Sequence, residues 1–149
     1  MLAARLGRSF DVVLSPCVLS QLCAPFTRTL ARTAAQWQAL MAQVGGAHLE
    51  LMARLLRPGG QGVAVGDLYL GPDDGTARPL DWASLDRRAV AALRGGVMRL
   101  RDPEFLAQLL ASAPVRALIA DARLTDPWTW TVEGTRMLVY AVLFRRAEP

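Results

Sequence analysis

Arg57-Pro58-Gly59-Gly60 is the segment that most narrows what this chain can fold into. It follows a stretch with Leu51, Met52 and Leu55 at helical spacing and leads directly into GVAVGDLYL. Proline cannot continue a helix, and glycine tolerates the left-handed conformation that reverses the chain. A helix over about 48–56 must therefore end here, with a buried strand at about Gly62 to Asp67 behind it. Upstream, FDVVL at Phe10 to Leu14 is a short apolar run with two β-branched valines, closed by Ser15-Pro16, where a ladder loses a donor. This reads as a second buried strand with a loop at its C-terminal end.

Helical stretches separate and follow these strands. Phe26, Leu30, Ala34, Trp37, Met41 and Val44 recur at helical spacing, which predicts an amphipathic helix stopped by Gly45-Gly46. GPDDGTARP, from Gly71 to Pro79, is dense in turn formers and reads as a surface loop. Two further helices are expected at about Trp82 to Leu93 and Pro103 to Ala113, with Gly95-Gly96 between them. The second has Asp102 as N-cap, Pro103 at its first position and Glu104 in its first turn. PWTWTV, Glu133-Gly134 and MLVYAVLFRR then form an antiparallel hairpin.

Strands joined by helical crossovers pair in parallel, and the final hairpin adds an antiparallel member. The expected fold is a mixed α/β sheet in a single domain over residues 1–149. No apolar stretch reaches the roughly 18 residues a membrane-spanning helix needs. The acid-free N-terminus runs straight into a strand without a small-residue cleavage site, and the expected location is the cytoplasm.

The formal charge of +4 is a weak pointer to nucleic acid, because all 17 basic residues are Arg and they are scattered along the chain. A solvated basic surface is the expectation. Cys17 and Cys23 are too few for a disulfide framework, and with His48 as the one histidine no Cys/His zinc set can be assembled.

Three segments resemble class I S-adenosylmethionine-dependent methyltransferases. FDVVLSPCVLSQL is similar to their fourth strand and following loop, HLELMARLLRPGGQGVAVGDLY to the helix, turn and fifth strand, and PWTWTVEGTRMLVYAVLFRR to the terminal sixth and seventh strands. The resemblance covers nearly the whole chain and implies a partial Rossmann-like sheet, strands four to seven, with S-adenosylmethionine as cofactor. It implies no particular methyl acceptor, since the fold serves many substrates. The family's glycine-rich cofactor loop and the acidic residue that binds the ribose would precede residue 1. Gly59, Gly60 and Gly62 do not replace that loop, because a cofactor cradle follows a strand and opens a helix whereas these glycines do the reverse.

Ligands of doubly wound sheets sit beyond the C-terminal ends of the strands where strand order reverses. The resemblance therefore makes Ser15, Pro16 and Cys17, after the first strand, and Asp67, at the end of the next, the candidates for contact with the transferable methyl and the substrate. Methyl transfer is an in-line displacement at a sulfonium carbon, which asks the protein to align reactants and exclude water. The competing readings are structural: a plain strand-to-helix connection for Ser15-Pro16-Cys17, and a strand-ending cap for Asp67. Cys17 has Cys23 where a phosphatase-type loop has its arginine, so both thiols read as buried small hydrophobes. His48 reads as a boundary residue at a helix start, and Trp128 and Trp130, two apart on one strand face, as packing anchors.

Without its first half the chain is expected to be inactive alone. The apolar edge of strand 10–14 would be open to a complementary chain or a second copy. The alternatives are a non-catalytic interaction module that uses this edge, and a start codon lying inside a longer reading frame.

Overall fold

A computed structural model describes residues 9–23, 33–72 and 103–148. In chain order the elements are β1 (Phe10–Pro16), α1 (Val18–Cys23), α2 (Ala34–Leu55), β2 (Leu56–Pro72), α3 (Pro103–Ala111), α4 (Ala113–Arg116), β3 (Ile119–Leu124), β4 (Trp128–Val132) and β5 (Thr135–Arg146). The fold is mixed α/β around one mixed sheet of order β1-β2-β5-β3, with β4 also on β5. β1 and β2 are parallel, as strands joined by a helical crossover must be. β5 is antiparallel to β2, β3 and β4.

The hairpin forms where the sequence predicts it. Glu133 and Gly134 have φ of 49° and 71°, the pair of left-handed residues that a two-residue type I′ turn requires. β3 and β4 lie end to end along the same edge of β5, and Thr125 joins them. Its N–H donates to the Ala141 carbonyl and its Oγ1 accepts from the Ala141 N–H, both at 2.9 Å.

Several expectations need correction. The helix predicted to stop at Gly45-Gly46 and restart at His48 is one uninterrupted 22-residue helix, α2. Two internal glycines cost a helix about 1 kcal/mol each. Gly45, however, is buried on the stripe that carries Met41, Leu49 and Met52 into the core, and packing of that stripe outweighs local propensity. The helix begins at a capping box in which the Gln36 N–H donates to Thr33 Oγ1 at 3.2 Å and the Thr33 N–H donates to Gln36 Oε1 at 3.1 Å. Its predicted extension back to Phe26 lies outside the described residues.

At its other end α2 stops at Leu55, and Leu56 already belongs to β2. Arg57-Pro58-Gly59-Gly60 is therefore the irregular start of the strand, with Gly59 at φ 72° and a register shift against β1 between Phe10 and Val12. β2 also outruns its predicted end, for Gly71 and Pro72 pair with Arg136 and Thr135. The rest of the predicted loop, the helix at Trp82 to Leu93, Gly95-Gly96 and the Asp102 cap lie outside the described residues. The helix expected to end at Ala113 breaks at Ser112, whose Oγ donates to the Leu109 carbonyl at 2.6 Å, and a short α4 follows.

The main core cluster lies on one face of the sheet, while Val139 and Ala141, which alternate with Tyr140 and Val142 along β5, are buried on the other. Met41, Leu49, Met52 and Ala53 from α2 meet Phe105, Leu106, Leu109 and Leu110 from α3, Val115 from α4, and Ala64, Tyr140, Val142 and Phe144 from the strands. β1 is buried on that face only. Val12 and Leu14 on its other face are 57% and 61% exposed, so FDVVL is not the fully buried strand its composition suggests. Trp128 and Trp130 are likewise 44% and 51% exposed and do not anchor packing. Among the described residues no helix is long and apolar enough to cross a membrane.

Candidate functional site

The turn from β1 into α1 is where the predicted site residues gather. Ser15, the penultimate residue of β1, stands beside Ala64 on the core face and is 5% exposed. A hydroxyl buried that deeply requires a partner. It has one in His48, whose Nε2 lies 2.8 Å from Ser15 Oγ, a contact spanning 33 positions of sequence. Pro16 follows, exposed and in register with Val65. The Cys17 N–H then donates to the Val65 carbonyl at 3.0 Å, which carries the pairing one residue beyond the proline.

Cys17 adopts φ 53°. A non-glycine residue in the left-handed region costs about 1 kcal/mol or more and persists where its surroundings fix it. Here the serine two residues before it is held through its side chain and its own N–H is held by β2. Cys17 is half-buried and not disulfide-bonded, rather than the enclosed hydrophobe expected. The side chain of Cys23 lies outside the description.

His48 is the residue beside this turn that the sequence reading misplaced. It is not at a helix start but 14 residues into α2, on the side facing β1. Burial pushes its pKa below the ordinary 6.5, because the charged imidazolium is poorly solvated there. The neutral ring is therefore the form held at neutral pH, and its Nε2 shares a hydrogen bond with the Ser15 hydroxyl whose direction is set by the ring tautomer. Nothing local announces this pair. The one available hint is that His48 follows Trp37, Met41 and Val44 on the same helical stripe.

Asp67 is 3% exposed and pairs in register with Val139. It lies two residues beyond Val65, about 7 Å further along β2. Side chains alternate across a strand, so Ala64 and Gly66 face the core with Ser15 whereas Val65 and Asp67 face the other way. The structure thus corrects the expected loop: Ser15 and Pro16 are the last two residues of β1, Cys17 alone links the strand to α1, His48 stands against Ser15, and the Asp67 side chain is directed to the opposite sheet face.

At the other end of β1, Arg57 and Asp11 form an exposed ion pair. Among the described residues no group of three His, Cys, Asp or Glu side chains converges to hold a metal ion. A shallow cavity of about 170 Å³ opens on the sheet between Gln61, Val63, Arg123 and Leu143, away from the β1 turn.

No protein-family model matches the chain, and no curated protein matches it in sequence.

Proposed function

We propose that the chain is the C-terminal half of a class I S-adenosylmethionine-dependent methyltransferase, strands four to seven of a Rossmann-like sheet, whose β1 turn forms the methyl-side wall of the cleft. The observation that carries this reading is the strand order β1-β2-β5-β3, with the last strand slotted antiparallel between β2 and β3. The resemblance equates β1 with strand four, β2 with strand five and β5 with strand seven. A sheet of that family ends with its seventh strand antiparallel beside the fifth, and β5 occupies the corresponding slot. A parallel β1–β2 pair joined through α1 and α2 supplies the doubly wound part.

The described residues fit only part of a cofactor site. β1 passes into α1 through the single residue Cys17, so no glycine-rich loop leads from this strand into a helix. The second wall comes, on this reading, from polypeptide paired in parallel with the edge of β1 that has no partner strand among the described residues. The chain by itself accordingly does not turn over, and the cytoplasm is the compartment implied. Backbone NMR spectra recorded with S-adenosylmethionine at about millimolar concentration test this, weak binding being what half a site allows. The expected result is shifts confined to the amides of Ser15, Cys17 and Asp67. Shifts centred elsewhere, or none, count against it.

One observation favours a second, non-catalytic reading. Among the described residues β1 pairs with β2 alone, and the exposed Val12 and Leu14 border that open edge. An edge of this kind is a template for strand addition, and the module would then serve to bind a partner strand. Micromolar binding of S-adenosylmethionine by the isolated chain would exclude it.

A further inference from the structure

We propose that His48 is a proton-sensitive positioning residue, a latch that sets the geometry of the Ser15-Pro16-Cys17 turn and releases it when the imidazole takes up a proton. That the turn contacts a methyl donor rests on the function proposed above; the coupling between His48 and the turn does not.

The latch adds a side-chain restraint to the strand pairing on either side of Pro16. Ser15 is tied through its hydroxyl to His48 at 2.8 Å, and Cys17 through its N–H to Val65 at 3.0 Å. Between them the chain leaves the extended conformation of β1, enters the left-handed region at Cys17 and starts α1 at Val18. Strain of this kind relaxes when one of its anchors is lost. Pro16 has no N–H and cannot supply a substitute donor. The anchor on α2 therefore acts beside the β1–β2 ladder, in which Ser15 and Pro16 pair with Ala64 and Val65, in holding the turn in shape.

Protonation acts on that anchor directly. In the tautomer that leaves Nε2 bare, Nε2 accepts from Ser15 Oγ while the ring is neutral; with a proton on Nε2 the same atom becomes a donor, and the hydroxyl has to rotate to accept. At the same time a positive charge appears in a site that is largely withdrawn from water. The charged groups on the elements packed against α2 offer it little compensation. Asp11 of β1 is engaged with Arg57 of β2, and Asp67 of β2 belongs to the opposite face. Arg146 of β5 donates to the Ala53 carbonyl at 2.7 Å, and Arg145 of β5 reaches Asp121 of β3 at 4.0 Å. Glu104 on α3 and Arg116 on α4 are exposed, Glu50 on α2 itself pairs with Arg54, and α1 carries no acidic or basic side chain. Burial is the cause that shifts His48, and it favours the neutral ring.

The chain has one histidine, so its imidazole resonance needs no assignment by mutation. The full chain is titrated from about pH 8 to about pH 5, the window in which imidazoles change charge, while the His48 Cε1–H and the Cys17 amide are followed together. The expected result is a His48 midpoint below 6.5 and a Cys17 amide that moves with the same midpoint. In His48→Gln, which keeps a hydrogen-bonding side chain but does not titrate, the Cys17 amide stays level across the window. Addition of S-adenosylmethionine to the same sample reports separately on the proposed function: shifts at the turn without co-titration refute the latch and leave the methyltransferase reading standing. A His48 midpoint at or above 6.5, or a wild-type Cys17 amide that ignores it, overturns the proposal.

Discussion

The ring of Tyr140 occupies the space that a side chain on Gly66 would need. A Cβ on Gly66 would stand 2.5 Å from Tyr140 Cζ, and the two residues are cross-strand partners in the β2–β5 ladder. Four residues earlier, Gly62 and Phe144 repeat the arrangement, with 2.2 Å from the Cβ position to Phe144 Cζ. Glycines on β2 thus seat the aromatic rings of β5, and this matching fixes β5 beside β2 in one register. A one-residue slip would set each ring against a residue with a Cβ.

Gly66→Ala tests that matching. Tyr140 is fully buried, so its ring has no free space to move into. Overpacking of this kind costs about 1–3 kcal/mol. The urea midpoint should fall accordingly, and a variant as stable as wild type would mean that the ring does not rest on Gly66.

Gly46→Ala should have the opposite sign. A Cβ there meets nothing within 4 Å, and the residue is inside α2. Alanine should stabilise the protein by about 0.5–1 kcal/mol through lower backbone entropy in the unfolded chain. Thr33→Ala, which removes the capping box, should cost about 1 kcal/mol. Both are read from chemical denaturation monitored by circular dichroism.

Stability should depend on pH through His48. Its folded pKa lies below the unfolded 6.5, so between the two values the unfolded chain binds more protons and stability rises with pH. The contribution is fully present above about pH 6.5 and is lost as pH falls through the folded pKa. Denaturation at about pH 7.5 and about pH 5.5 should therefore show wild type losing more stability than His48→Gln. Equal losses in the two proteins would remove His48 as the cause.

Leu14→Lys should reduce self-association without loss of fold. Leu14 is 61% exposed on the edge strand, where a lysine discourages strand addition. Substitution at so exposed a position should change stability by no more than about 0.5 kcal/mol. Sedimentation velocity would show any wild-type oligomer shifting toward monomer; an oligomer that persists unchanged does not use this edge.

How much of this could be read in advance varied with the range of the forces involved. The hairpin was legible because Glu133-Gly134 between two strand-like runs carries its own turn chemistry, and β1 because FDVVL is short, apolar and closed by proline. The continuity of α2 was not legible from Gly45-Gly46, since tertiary packing of the Met41, Leu49 and Met52 stripe overrides their local preference. Thr33 and Gln36 did carry a start signal, three residues apart. β3 went unanticipated because IADARL has charged residues at Asp121 and Arg123 and buries only Ile119 fully, so no alternating pattern marks it. It is a strand because β5 offers it an edge. The Ser15–His48 pair depends on a crossover that brings residues 33 apart together, and no spacing rule contains that.

The central claim is tested most directly by calorimetric titration of S-adenosylmethionine into the chain extended by the residues encoded in frame ahead of Met1. The account predicts that this upstream stretch contains a strand followed by a glycine-rich loop, and that the extended protein binds with a Kd of about micromolar while the present chain binds at about millimolar or more weakly. Absence of binding by the extended protein, or an upstream frame without such a loop, would contradict it.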